Sequence, residues 1–411
     1  MAIDPVLLTQ ELVRCPSVTP VDAGAQAVMT AALEQMNFTV HRLIFGTETP
    51  NPVHNFFAHL SRQGSTVLNS AAHSSPLADS SINGEEGAAK IGPRLCFMGH
   101  TDVVPTGRLS DWTTPPFDAA IEGDRLIGRG SADMKGANAA FVAAVSRFLL
   151  RYPDWNGTIS LAITGDEEGV AAHGTVKIVE WMRDHDHIPD AALVGEPSNP
   201  QFMGQIVRVG RRGSWCGKLI VEGKQGHSAY PELADNPAHK IVTLLHQLLQ
   251  QKFDNGTEFF KPSDVVVTSI DIGNEATNVI PARAQALINI RFNDHWTGPS
   301  LEQHVRSIFD ETKIPYELYG WCNAESFMTN DAMWRKLVAD AVQEVSQIRP
   351  VFDTGGGTSD ARFIAPYCPV VEYGLINATI HQINECVFLN DLETLTQTYF
   401  VILKKFFSVG D

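Results

Sequence analysis

The sequence lacks any Cys-x-x-Cys pair. Its six cysteines (Cys15, Cys96, Cys216, Cys322, Cys368 and Cys386) are dispersed, and several lie in apolar strand-like runs. That pattern fits buried free thiols in a reducing cytoplasm rather than a disulfide framework. Basic residues are scarce: 31 Lys and Arg against 47 Asp and Glu, a net charge of -16. Such a balance argues against nucleic acid or an anionic membrane as partner. An anionic substrate stays open, because a few local arginines outweigh a distant net charge. No apolar run is long enough to span a bilayer. The opening MAIDPVLLTQELV has no basic leader before an apolar core, so it does not read as a signal peptide. Several catalytic templates are also missing: the Gly-x-Ser-x-Gly elbow, the His-Glu-x-x-His helix, the Walker loop and Gly-x-Gly-x-x-Gly.

What is present is ordinary globular composition, 44% hydrophobic and 19% charged, in 411 residues. That length calls for two domains. Apolar spacing predicts helices over 5–14 and 22–36. VHNFFAHL (53–60) and RLCFM (94–98) read as strands, separated by a Ser-, Ala-, Gly- and Asn-rich segment, 61–93, expected to be a long surface loop. His73 and the Glu85-Glu86 pair in it read as solvated loop residues. A helix over 135–150, the strand TISLAIT (158–164), a helix over 173–185 and the strand AALVG (191–195) follow. Strands alternating with helices predict an α/β fold with a doubly wound, mostly parallel sheet, in which ligands sit beyond the carboxyl ends of the strands. After Arg212 the order becomes strand-helix-strand-strand-helix-strand, that of an α+β ferredoxin-like unit. The expected division is therefore a catalytic domain of residues 1–212 and 325–411, with an inserted domain at 213–324.

Candidate site residues fall at the strand ends. His100 in FMGHTDVVP, with Asp102 two residues on, suits a metal ligand whose other ring nitrogen is held by a carboxylate; a polar pair at a loop mouth explains it as well. Asp133 in GRGSADMKG sits at a loop-to-helix boundary, where it could cap the helix or bridge two metals through its two oxygens. Asp166, Glu167 and Glu168 repel one another unless something positive offsets them. They form either a solvated acidic turn, or a ligand beside a general base that holds a metal-bound water. Glu196 in LVGEPS is a lone acid at a strand end. His381 in NATIHQINE is weak by itself, since many such histidines are structural. Together His100, Asp133, Glu168, Glu196 and His381 give three ligands to each of two metals if Asp133 bridges. Carboxylates with one imidazole per metal suit Zn²⁺, with Co²⁺ or Mn²⁺ as substitutes. Gly355-Gly356-Gly357-Thr358-Ser359-Asp360 lacks a following lysine, and its backbone N–H groups suit a carboxylate better than a nucleotide.

With these residues in place, the chain resembles the zinc aminoacylase/carboxypeptidase-type metallopeptidase family. The resemblance runs from the first helix to the last, except for 61–93. GHTDVVP, GRGSADMKG, DEEG and VGEPS are shared widely in that family. GRRGS, QGHSAYP, NVIPA, GGGTSD and NATIHQINECV narrow the choice. The resemblance implies two zinc ions per subunit: His100 and Glu196 on one, Glu168 and His381 on the other, Asp133 between them. It makes Glu167 the general base and acid, and Asp102 the residue that orients His100. His227 would reach a neighbouring subunit's site and polarise the scissile carbonyl, which makes 213–324 a dimerisation and lid domain and the protein a homodimer. Arg211, Asn278, Arg291, Thr358 and Asn377 would contact substrate carboxylates and backbone. The implied reaction is hydrolysis of a small dicarboxylate amide, N-succinyl-diaminopimelate, in diaminopimelate and lysine biosynthesis. An N-acetylornithine deacetylase or aminoacylase activity is the alternative, and a non-catalytic protein on the same fold is a second.

Overall fold

The computed structural model describes residues 2–63 and 92–410. His73, Glu85 and Glu86 lie outside the described residues, and the strand before them, Val53–Arg62, takes in the first two positions of the expected loop. The chain forms two compact units. The first comprises Met1–Val209, Thr329–Phe352 and Ser359–Asp411; the second comprises Gly210–Met328 and Asp353–Thr358. This corrects the expected boundary, 213–324. The second unit starts three residues earlier, ends four later, and takes a separate segment carrying Thr358. The reason is local: Gly210–Arg211 pairs antiparallel with Phe327–Met328, and the Arg211 guanidinium donates to the carbonyls of Gly355 and Gly357 at 3.3 and 3.2 Å.

The first unit is built on an eight-stranded sheet. Its centre is parallel: Gly157–Thr164, Arg94–His100, Ala191–Val194 and Val370–Glu372 lie side by side in that order. The flank is antiparallel, with Thr39–Phe45 and Val53–Arg62 on one side. Each central strand is buried on both faces, as expected of parallel strands covered by helices, which is why they are continuous apolar runs. The edge strand Thr39–Phe45 was not foreseen; its mixed, half-exposed sequence gives little period-2 signal.

Helix Gly136–Arg151 is buried along most of its length. Its alanines (137, 139, 140, 143 and 144) let it lie close, and Phe141 stacks on Phe97 at 4.2 Å between ring centroids. Tyr399 of the last helix, Leu389–Phe406, meets both rings edge-on and donates its hydroxyl to the Tyr373 carbonyl. Such aromatic pairs are each worth about 0.5–1.5 kcal/mol beyond the area they bury. Among the described residues no helix is long and apolar enough to cross a membrane.

The second unit carries a four-stranded antiparallel sheet, in the order Asp264–Asp271, Arg283–Phe292, Gly213–Glu222 and Glu317–Ala324. Helices Pro237–Leu249 and Gly298–Glu311 join its strands, which gives the connectivity of a ferredoxin-like unit. Leu219, Ile241, Leu244, Ile288, Leu301 and Val305 are among the residues of its own apolar core.

Candidate active site

Three parallel strands point the same way and deliver their next residues to one end of the sheet. His100 closes Arg94–His100; Glu167 and Glu168 follow Gly157–Thr164; Glu196 follows Ala191–Val194. Gly99 matters here. A Cβ on it would lie 2.4 Å from Asn138 Oδ1, and its absence lets the Asn138 amide donate to the His100 carbonyl at 2.7 Å. Asp133 arrives differently, from the turn Ser131–Lys135 that leads into the buried helix. His381 comes from the loop after Val370–Glu372 and holds a left-handed backbone, φ 60°.

These residues converge. His100 Nδ1 lies 2.9 Å from the Asp102 carbonyl oxygen, so that nitrogen carries a proton and Nε2 is the one turned toward the carboxylates. Nε2 is 3.3 Å from Asp133 Oδ1 and 3.7 Å from Glu196 Oε1. His381 Nε2 is 3.2 Å from Asp133 Oδ2 and 2.9 Å from Glu168 Oε1. Asp133 thus faces a different histidine with each oxygen. Donor atoms of His100, Asp133 and Glu168 form one close triple and those of His100, Glu167 and Glu196 another, each within 4.8 Å. Asp102 is a partial revision of the expectation. It holds His100 chiefly through its backbone carbonyl, while its carboxylate, 3.7 Å from Nδ1, accepts the Glu167 and Glu168 N–H groups at 3.2 and 3.0 Å.

The electrostatics follow from five carboxylates and two imidazoles brought together, all but His381 buried or half-buried. Burial would lower the His100 imidazole, but the Asp133 hydrogen bond and the charges of Glu167, Asp133 and Asp102 drive it well above its ordinary value. Hydrogen bonds to Asp133 and Glu168 push His381 up to about 10. Burial would raise the Asp133 carboxyl, yet its two histidines hold it well below the usual range. Glu167 goes the other way: burial and then the Glu196 charge raise it well above an ordinary glutamate. Burial likewise pushes Asp102 up to about 6 against the pull of His100. A cluster this negative calls for positive charge, and its donors are imidazole nitrogens and carboxylate oxygens with a carboxylate positioned to bridge. The residues present therefore fit a pair of divalent cations.

Sequence reasoning missed what fixes Asp133 and His381. Glu385 Oε1 accepts the N–H groups of Ala132 and Asp133 at 3.1 and 3.0 Å, and its Oε2 takes Arg129 Nη1 at 2.7 Å. Arg129 also donates to the His381 and Gln382 carbonyls. Both side chains of this pair are almost wholly buried, 2% and 1% exposed. The available signal was an arginine and a glutamate inside motifs already singled out, GRGSADMKG and NATIHQINECV. Asp166 turns away from the cluster and accepts the His173 N–H at 3.1 Å.

The remaining candidates divide between the units. Asn377 is in the first, its N–H donating to the Asn199 carbonyl. Arg211, His227, Asn278, Arg291 and Thr358 belong to the second. There the Arg211 side chain is buried against the Gly355–Gly357 backbone. Arg291 lies opposite Ser214 on the sheet. His227 and Asn278 are neighbours in a small ribbon, where Gly226–His227 pairs with Val279–Ile280. His227 is exposed, and its Nδ1 accepts the Ala229 N–H at 3.0 Å, which leaves its Nε2–H directed outward.

Fold and cluster together define a metal-dependent hydrolase. The profile of the family described as Peptidase family M20/M25/M40 matches residues 96–405, and the chain belongs to that family. A succinyl-diaminopimelate desuccinylase of Rhodospirillum centenum is 45% identical over 408 residues, 99% of this chain and 98% of that protein. Among solved structures, an M20 family metallo-carboxypeptidase, Sso-CP2, of Sulfolobus solfataricus superimposes with a TM-score of 0.74 at 16% identity, covering 99% of this chain and 100% of that one. The YXEP protein of Bacillus subtilis, described as a dinuclear metal binding peptidase of the same family, gives a TM-score of 0.66 at 14% identity over 97% of each chain.

Proposed function

We propose that this chain hydrolyses N-succinyl-LL-2,6-diaminopimelate to succinate and LL-2,6-diaminopimelate, a step of diaminopimelate and lysine biosynthesis. The observation that carries the chemistry is Asp133 with one oxygen toward His100 and the other toward His381, beside a half-buried Glu167. The substrate rests on end-to-end similarity to a relative of that name.

Two Zn²⁺ ions, for which Co²⁺ or Mn²⁺ could substitute, would be held by His100, Glu196, Glu168 and His381 with Asp133 between them, and would acidify a water and polarise the amide carbonyl. Glu167 accepts that water's proton as its oxygen bonds to the carbonyl carbon. Glu167 then hands the proton to the nitrogen as the C–N bond breaks. Asp102 keeps His100 in the tautomer that presents Nε2. Arg211, Asn278, Arg291, Thr358 and Asn377 bind the substrate's carboxylates and backbone groups, and a guanidinium can take both oxygens of one carboxylate. The second unit serves as lid and dimerisation domain, and the partner subunit's His227 donates its Nε2–H to the developing oxyanion. Support for a homodimer comes from the sheet face turned away from the two helices, where Val266, Leu287, Tyr319 and Trp321 are all exposed. A patch of that kind marks an interaction surface.

Measuring kcat/KM of the zinc-loaded protein on N-succinyl-LL-2,6-diaminopimelate and on N-acetylornithine tests the substrate. Preference for the succinyl compound by at least about a hundredfold is expected, because a site built for a carboxylate leaves buried polar groups unpaired without it. Equal or reversed values overturn the proposal in favour of another amide hydrolase of the family.

A further inference from the structure

Three histidines gather on the antiparallel flank of the first unit, among residues that the hydrolytic reaction does not use. His41 lies on the edge strand Thr39–Phe45 and His59 on Val53–Arg62. The register pairs His41 with Phe57, so His41, Phe57 and His59 share one face of the sheet. Helix Thr175–Asp184 brings Trp181 onto that face, and His187 follows the helix, its N–H held by the Met182 carbonyl at 2.7 Å. The imidazole centroids of His41 and His59 are 5.5 Å apart and the rings nearly parallel; those of His59 and His187 are 4.9 Å apart. One ring nitrogen from each of the three lies within 4.8 Å of the others.

Aromatic packing accounts for the stacking but not for the nitrogens. Nε2 of His41 and Nδ1 of His59 are buried and have no hydrogen-bond partner among the described residues. A buried polar atom left this way destabilises the fold unless something satisfies it. Two such atoms in one cluster of three imidazoles mark a place arranged for something that accepts lone pairs. Protons are poor candidates. Burial and then the neighbouring histidines lower His187 to about 4, and burial followed by His41 also lowers His59. His59 and His187 are therefore held in the neutral form, the one that binds metal.

We infer that His41, His59 and His187 form a transition-metal site separate from the carboxylate cluster. Three imidazoles without a carboxylate or thiolate select Zn²⁺, Ni²⁺ or Cu²⁺ over Mg²⁺ and Ca²⁺, which need oxygen ligands. Tetrahedral Zn–N bonds of about 2.0–2.1 Å require nitrogens about 3.3 Å apart, so the rings must draw in by about an ångström. All three are half-buried, which leaves the fourth position to water. A bound ion would tie the edge strand to the end of helix Thr175–Asp184.

The test is a metal count. Wild type, His59→Gln and His187→Gln are equilibrated with micromolar Zn²⁺, and bound zinc per chain is measured by mass spectrometry. Wild type should hold one zinc more per chain than either variant, with amide hydrolysis unchanged among the three. His187 sits beyond the helix rather than in the sheet, so its variant keeps the test intact if His59→Gln fails to fold. Equal zinc in wild type and a folded variant, judged by circular dichroism, overturns the inference. So does loss of zinc accompanied by an equal loss of hydrolysis, because the ion removed would then belong to the carboxylate cluster.

Discussion

Glu167 and Glu168 are adjacent and chemically alike, yet the fold treats them differently. Glu168 reaches His381 at 2.9 Å, as a ligand does. Glu167 turns inward, where burial and the Glu196 charge raise its carboxyl. Both backbone N–H groups are pinned by the Asp102 carboxylate, which sets the two side chains on their separate courses. Glu167→Gln keeps size and shape but cannot accept a proton. It should hold the same number of metal ions as wild type while kcat falls by about 10²–10⁴-fold, the usual worth of a positioned base. A kcat near wild type would remove Glu167 from the reaction, and lost metal would make it a ligand instead. The sequence carried this pair well, because an apolar strand ending in acids is a local signal. It carried His381 poorly. That residue is placed by Arg129 and Glu385, 256 positions apart, and no local pattern encodes a buried ion pair over that distance.

At the scale of elements, strands buried on both faces were the most legible, since they are unbroken apolar runs bounded by polar residues. Edge strand Thr39–Phe45 and the short strands Ile206–Arg208 and Val351–Asp353 were not, being brief or half-exposed. The boundary of the second unit shifted for a related reason: its extra pairing joins two-residue strands too short to have a period. The loop before strand Asp264–Asp271 is held by one carboxylate. Asp254 accepts from the Gly256 N–H at 2.8 Å, the Asn293 amide at 2.6 Å and the Trp296 indole at 3.0 Å, and from the Ser263 N–H. Burial would raise this carboxyl, but those donors hold it at about 2. A depressed carboxyl contributes stability above its unfolded pKa, about 3.9, and loses it as pH falls through the folded value. At pH 7, Asp254→Asn should lower stability by about 1–3 kcal/mol through donors left unpaired. The gap should narrow between pH 4 and 2, where wild type itself takes up the proton. Denaturant midpoints of both proteins at pH 7 and pH 3 check this, and a constant gap would show that the carboxylate charge is not what holds the loop.

At the scale of the whole molecule, the proposed reaction is split between two places in the chain. The carboxylate and imidazole cluster lies entirely in the first unit, whereas Arg211, His227, Asn278, Arg291 and Thr358 lie in the second. His227 is exposed, with Nε2–H directed outward, and within its own unit its neighbours are the Ala229 N–H and the Tyr230 ring. A histidine placed so is idle unless another surface meets it. If that surface belongs to a second copy, each working site needs Glu167 from one chain and His227 from the other. Glu167→Gln and His227→Ala homodimers should then both be nearly inactive. Mixing them equally with subunit exchange makes half the dimers hybrid, and each hybrid has one complete site of two, so about a quarter of the wild-type rate should return. The recovery should depend on exchange, appearing slowly after mixing and not at all when each dimer is cross-linked beforehand. If the mixture stays inactive while mass spectrometry shows hybrid dimers present, His227 does not act across an interface. If His227→Ala alone retains near-wild-type kcat, the histidine takes no part in turnover, and the exposed apolar face of the second sheet must be explained by assembly alone.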